Sequence, residues 1–177
     1  MPISFILLNL KESCVDPVRL RKTNLVSWTP PCHDCLMFNV DGYTRVQPGP
    51  AGIDGVLRDS KGHILCLFSL CVGSLDSNST EILAIHKALQ LCASNPSIAL
   101  SKVSIVSDSK TAVSWSNNKD SFGSFSHLNT ILDIKDILSS FQNFEIFFRP
   151  RSANAFADGL AKRGSSGEGF GVVWSDS

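Results

Sequence analysis

The sequence predicts a single α/β domain on a mixed five-stranded sheet, three antiparallel strands followed by two parallel ones, with helices on both faces. Three observations predict it. Residues 36–72 hold three strand-like stretches joined by turn chemistry, the apolar period turns helical after Asp76-Ser77-Asn78-Ser79, and two later strand-like stretches are each reached across a helix. The chain has 177 residues, 43% of them apolar, enough for one core and too few for a second domain of any size.

Residues 1–27 show no clean period and are read as a leader, closed by the rigid, extended Trp28-Thr29-Pro30-Pro31. The domain is then expected over 28–164 and a Gly/Ser-containing tail over 165–177. Leu36 to Asp41 reads as a strand, Gly42 to Gly52 as a Gly/Pro loop, and Ile53 to Arg58 as a second strand. Asp59-Ser60-Lys61-Gly62 is hairpin-turn chemistry leading to a third strand, His63 to Val72. Ile82, Ile85, Leu89 and Cys92 then form one helical stripe, with Ala84 and Ala88 allowing close approach to a sheet, until Asn95-Pro96 ends the helix. Lys102 to Ser107 suits a central strand buried on both faces. A short helix is expected from Ser109 to about Asn117, and an amphipathic one carries Leu128, Ile131, Leu132, Ile134, Ile137 and Leu138. Phe144 to Phe148 reads as the fifth strand, and Ala153 to Arg163 as a last helix stopped by Gly164-Ser165-Ser166-Gly167.

The formal net charge is +0, so attraction to a polyanion has to come from locally clustered Arg and Lys. Cys66, Cys71 and Cys92 stand among apolar residues and read as small buried hydrophobes. Cys32 and Cys35 form a lone Cys-x-x-Cys without a second ligand pair at zinc-finger spacing, and read as an ordinary loop. The apolar start Met1 to Leu8 lacks the basic flank and cleavage pattern of a signal peptide, and no apolar run reaches the roughly 20 residues that span a bilayer. The expectation is a soluble intracellular protein of a reducing compartment, nuclear or cytoplasmic, without a membrane partner or an obligate protein partner, and monomeric.

Four acids stand where chemistry gathers: Asp41 in the first strand, Glu81 at the start of the first helix, Asp108 at the end of the fourth strand and Asp158 in the last helix. Each has a plain structural reading. Asp41-Gly42 suits a turn, Asn78 to Glu81 has capping-box spacing, Asp108 could cap the helix after it, and Asp158 could pair with Lys162. Taken together they point elsewhere, because the first and fourth strands are natural central neighbours and ligand sites collect where topology switches. Carboxylates roughly 5 Å apart repel by about 3 kcal/mol per pair at an effective dielectric near 20, so their convergence implies a cation. Magnesium accepts such ligands and takes the remainder from water and substrate phosphate, and two ions roughly 4 Å apart suit an in-line displacement at phosphorus.

Phe38-Asn39-Val40-Asp41-Gly42, Gly55-Val56-Leu57-Arg58-Asp59, Thr80-Glu81-Ile82-Leu83-Ala84-Ile85, Ser107-Asp108-Ser109 and Asn154-Ala155-Phe156-Ala157-Asp158-Gly159-Leu160-Ala161 resemble the type 1 ribonuclease H family. Trp28-Thr29-Pro30-Pro31, Pro48-Gly49-Pro50-Ala51-Gly52 and Lys162-Arg163-Gly164 narrow the resemblance to plant ribonuclease H-like domains related to non-LTR retrotransposon polyproteins. It covers about Trp28 to Trp174. The resemblance implies the ribonuclease H-like fold, a metal-binding and catalytic quartet of Asp41, Glu81, Asp108 and Asp158, two Mg2+ ions with Mn2+ as a substitute, and endonucleolytic cleavage of the RNA strand of an RNA-DNA hybrid, leaving a 5′ phosphate. Three positions depart from the family pattern. The loop before the last helix, Arg149-Pro150-Arg151-Ser152-Ala153-Asn154, lacks the His that aids product release in many members, Tyr43 replaces a small residue, and Asp54 stands where Gly is common.

Hybrid recognition needs partners for 2′-hydroxyls across a wide minor groove and cations for phosphates. Candidates are the backbone of Gly42, Tyr43 and Thr44, the side chains of Asn78, Ser79 and Asn154, and the cations Arg149, Arg151, Lys162 and Arg163, whose plain reading is a solvated surface. Trp115 could rest against a sugar, with core packing as its plain reading. Two other functions stay open on sequence grounds: a non-catalytic, domesticated nucleic-acid-binding module of retrotransposon origin, and a decaying transposon fragment.

Overall fold

The computed structural model describes residues 28–118, 125–151 and 169–175. Its sheet has strands β1 (Cys35–Thr44), β2 (Gly49–Arg58), β3 (Ile64–Leu75), β4 (Lys102–Ser107), β5 (Phe144–Phe148) and β6 (Gly171–Trp174), in the spatial order β5-β4-β1-β2-β3-β6. The meander β1-β2-β3 is antiparallel, while β4 and β5 join beside β1 in parallel, as expected. The sheet has six strands rather than five. The extra strand, β6, comes from the segment read as a tail and pairs antiparallel with β3 through Cys66↔Trp174 to Ser69↔Gly171. Four residues among glycines carry too short a period to be read as a strand, and only the exposed edge of β3 gives them a partner.

The α-helices among the described residues are α1 (Ser77–Ser94), the single turn α2 (Pro96–Ala99), α3 (Lys110–Asn117) and α4 (Leu128–Ser140), the last preceded by a 3-10 turn over Phe125–His127. The expected helix over 153–163 and the leader over 1–27 lie outside the described residues. Helix α1 crosses β1 and β2 and packs on α4. Its stripe of Ile82, Ile85, Leu89 and Cys92 is buried against Phe38, Val40, Ile53, Leu57 and Phe68. Each such aliphatic side chain contributes about 1.5–3 kcal/mol by burial, which is what holds α1 to the sheet.

Residues opposite one another in an antiparallel pair share a face, so Phe38↔Leu57, Val40↔Gly55 and Gly42↔Ile53 define the face beneath α1. Asn39, Asp41, Asp54, Val56, Leu67 and Ser69 lie on the other face. At Gly55 the rings of Phe38 and Phe68 meet edge to face, with centroids 5.6 Å apart, over the missing side chain. A Cβ there would stand 2.8 Å from Phe38 Cε2 and would also strike the Phe68 ring. Gly55→Ala is expected to destabilise the fold by about 2–3 kcal/mol, because both rings are fully packed. A urea unfolding midpoint equal to that of the wild type would refute this.

Three local expectations change. The loop expected from Gly42 to Gly52 is a tighter hairpin, since pairing runs on through Gly42↔Ile53 and Tyr43↔Gly52 to Thr44↔Ala51. Ladder hydrogen bonds there override the low strand propensity of Gly and Pro. Cys32 and Cys35, read as an ordinary loop, are joined by a disulfide across a tight turn in which Asp34 is left-handed (φ 61°) and Cys35 N–H donates to the Cys32 carbonyl. Cys66 and Cys92 are buried as expected, whereas Cys71 is exposed. Trp28 is tied to the domain. Its indole Nε1–H donates to Asn39 Oδ1 at 2.9 Å, and the Arg58 guanidinium lies over its ring.

Candidate active site

Strand β1 is central, flanked by β2 and β4, and the parallel β1/β4 register ends at Asn39↔Val106. Two residues beyond each partner stand Asp41 and Asp108, so both carboxylates leave the sheet at the same end. Glu81 comes from the second turn of α1, which reaches the strand because residue 42 has no side chain. A Cβ on Gly42 would lie 2.5 Å from Thr80 C and 2.6 Å from Glu81 N. Asp41, Glu81 and Asp108 each present a carboxylate oxygen, and these oxygens lie within 4.8 Å of one another.

Asp41 is fully buried, Glu81 is 6% exposed, and the Asp108 side chain is 7% exposed. Burial first, then the neighbouring Asp41 and Asp108 charges, push the Glu81 carboxyl up to about 9, against Arg151 and a Ser107 hydrogen bond that pull it down. The Ser107 hydroxyl donates to Glu81 Oε2 at 3.4 Å and accepts from Ser109 N–H at 3.0 Å, which locks the turn after β4. Arg151 Nε donates to Asp108 Oδ2 at 2.8 Å. A donor set of three convergent carboxylates, one of which keeps its proton when only protein surrounds it, fits a hard divalent cation such as magnesium.

The plain readings of Glu81 and Asp108 as helix caps do not hold. The cap of α1 is Asp76, which accepts from Ser79 N–H at 3.0 Å, while Glu81 lies further along the helix and points into the acidic cluster. Burial opposes ionisation of Asp76, but its bonds from Ser79 outweigh it and hold the carboxyl below its ordinary value. The cap of α3 is Ser109, accepting from Ala112 N–H, which leaves Asp108 free of that task. Asp158 and Asn154 lie outside the described residues.

The other expected contact residues surround the acids. Gly42 is buried against α1, so its side-chain absence serves packing. Thr44 Oγ1 and Thr80 Oγ1 share a hydrogen bond of 2.8 Å, and Tyr43 is half-buried. Asn78 is exposed at the start of α1 and Arg149 at the end of β5. Ser79 bonds to Asp76 and lies 3.3 Å from His127 Nδ1. Trp115 is half-buried, packs on the core and faces the His127 ring at 5.5 Å. His127 was not singled out in the sequence. It is a buried polar residue before α4 that links Ser79 to Trp115, and a lone His among Ser and Leu carries no periodic signal. Asp54, also fully buried, pairs directly with Asp41 across β1 and β2.

Comparisons with known proteins agree with this geometry. Residues 39–164 match the family described as reverse transcriptase-like. A relative from Arabidopsis thaliana, named for ribonuclease H, is 33% identical over 69 residues, which are 39% of this chain and 11% of that protein. The match thus spans about a tenth of that relative's length. Among solved structures, LC11-RNase H1, isolated from compost by a metagenomic approach, superposes with a TM-score of 0.70 at 26% identity, covering 76% of this chain and 97% of the other. The same enzyme in complex with an RNA/DNA hybrid gives a TM-score of 0.68 at 26% identity, covering 75% and 97%. RNase H1 from the archaeon Halobacterium salinarum shares the fold, with a TM-score of 0.63 at 23% identity, covering 75% and 98%. The paired strands, the convergent acids and these matches together identify the chain as a member of the reverse transcriptase-like, ribonuclease H-fold family.

Proposed function

We propose that this chain is an RNA-DNA hybrid endoribonuclease that hydrolyses the RNA strand with two magnesium ions, manganese substituting, held by Asp41, Glu81, Asp108 and Asp158. The observation that carries this reading is the meeting of three carboxylates, those of Asp41 and Glu81 buried, at one end of the central strands. Bound there, magnesium supplies an activated water and stabilisation for the leaving oxygen at phosphorus. The chain's own residues prepare the pocket. Gly42 lets α1 bring Glu81 to Asp41, and Ser107 orients Glu81. Arg151 compensates the charge of Asp108 from its exposed side, where a phosphate could also meet the guanidinium.

For the substrate, the backbone of Gly42, Tyr43 and Thr44 and the side chains of Asn78, Ser79 and Asn154 meet 2′-hydroxyls and sugars, while Arg149 and Arg151 meet phosphates. Trp115 contributes by holding the helix beside this surface, with its edge available to a sugar.

Purified protein incubated with an end-labelled hybrid is expected to cut the RNA strand with magnesium and not with chelator. Asp41→Asn is expected to lower the rate on the order of a thousandfold. Equal products from the variant and the wild type would reject the assignment. Salt-sensitive hybrid binding without cleavage by the wild type would leave a binding module instead.

A further inference from the structure

His127 is a buried polar residue that the proposed site does not use. It stands at the cap position of α4, yet its side chain makes no capping bond there. Its Nδ1 lies instead 3.3 Å from Ser79 Oγ, in the first turn of α1 and two residues before Glu81. Trp115 of α3 flanks the imidazole, with ring centroids 5.5 Å apart and planes tilted by 30°. Three helices thus meet at one imidazole.

The protons in this chain of bonds can be assigned. Ser79 Oγ–H donates to Asp76 Oδ2 at 2.5 Å, the length of a hydroxyl bonded to an ionised carboxylate. Burial opposes ionisation of Asp76, but its bonds from Ser79 hold it below its ordinary value, so it has no proton to give back. A serine hydroxyl has one proton and two lone pairs. With the proton given to Asp76, Ser79 Oγ can only accept from His127, so Nδ1 carries a hydrogen in this contact. Among the described residues no third group bonds to this oxygen, and its remaining lone pair can bind only a group that brings its own proton. Along a nucleic-acid backbone that group is the 2′-hydroxyl of RNA, since phosphate, ester and ring oxygens only accept. On the reading that a hybrid lies across this end of the sheet, we infer that His127 is a positioning residue that, together with Asp76, fixes Ser79 Oγ as an acceptor and so makes it a reader of the RNA 2′-hydroxyl. His127 itself touches no reacting atom.

Fluorescence anisotropy of the full chain with a labelled RNA-DNA hybrid and with a DNA duplex of the same sequence, in chelator so that nothing is cut, measures the preference for the hybrid. His127→Asn, whose amide can donate from the place of Nδ1, is expected to keep the wild-type preference within about twofold, whereas His127→Gln, whose amide reaches the place of Nε2, lowers it about fivefold, as the loss of one hydrogen bond does. Ser79→Ala should lower it as much, and the two changes combined no further, as members of one unit behave. Equal preferences in the Asn and Gln variants, or losses that add in the double variant, would overturn the inference, because the imidazole would then serve packing alone. A wild type without preference for the hybrid overturns it too, as does failure of both His127 variants to fold. Cleavage with magnesium is measured alongside: a wild type that prefers the hybrid yet cuts nothing ends the nuclease reading and leaves this inference standing, so the two failures are told apart.

Discussion

Glu81→Gln is expected to lower hybrid cleavage steeply while making the metal-free protein more stable. The folded Glu81 carboxyl keeps its proton up to about 9, whereas in the unfolded chain it titrates near its ordinary value of 4.5. Between these values the folded state binds more protons than the unfolded state, so stability falls as pH rises through that window. Below the unfolded value the contribution is fully present, and above the folded value it is gone. Gln removes the charge that burial, Asp41 and Asp108 oppose, at nearly the same volume. The variant should therefore gain on the order of 2–3 kcal/mol over the wild type at pH 8 in chelator, and the difference should shrink towards pH 5. Magnesium binds the ionised form, so it should raise wild-type stability at pH 8 and leave the variant nearly unchanged. Urea unfolding at three pH values, with and without magnesium, measures all of this. Cleavage should fall on the order of a thousandfold in the same variant. A variant that loses stability at pH 8 in chelator would show that Glu81 belongs to the scaffold, against the pocket described here.

Gly42→Ala is expected to cost both stability and activity through backbone contact alone. The added methyl would stand 2.5 Å from Thr80 C and 2.6 Å from Glu81 N, and neither backbone atom can swing aside as a side-chain tip does. Helix α1 would have to move off β1, weakening the Thr44–Thr80 hydrogen bond and carrying Glu81 away from Asp41. A loss of about 3 kcal/mol is expected, at the upper end of overpacking costs. The activity loss should exceed what the unfolded fraction explains, since sub-ångström placement governs convergent ligands. Unfolding midpoints and cleavage rates measured on the same preparation separate the two effects. Wild-type stability would mean that α1 stands further from the strand than the contacts at Gly42 imply.

Much of the architecture was legible because it rests on period. Ile82, Ile85, Leu89 and Cys92 announce a helix, and Val103, Ile105 and Val106 a buried strand, since burial on one face or two leaves a repeating mark. Features without a repeat were harder to read. The strand β6 is a short edge segment whose partner is remote, and the Cys32–Cys35 disulfide depends on a turn at Asp34 that composition does not signal. His127 is visible only through its contacts with Trp115 and with Ser79, the latter 48 residues away in the chain.

For the candidate site, the sequence by itself determined the residue types and their order: an acid in the first strand, one early in the first helix and one at the end of the fourth strand. It left each of them with an equally good structural explanation. Tertiary structure removed the cap readings of Glu81 and Asp108, because Asp76 and Ser109 already cap the two helices, and brought the three acids together, because β1 and β4 run side by side in parallel. The sheet face of Asp54 was likewise decided only by register. A carboxylate in a strand could face either side of a sheet, and pairing with Asp41 is what places it on the face that Asp41 shares. The physical reason is common to these cases. Local sequence sets backbone conformation over a few residues, while charge repulsion and metal affinity depend on distances between segments far apart in the chain.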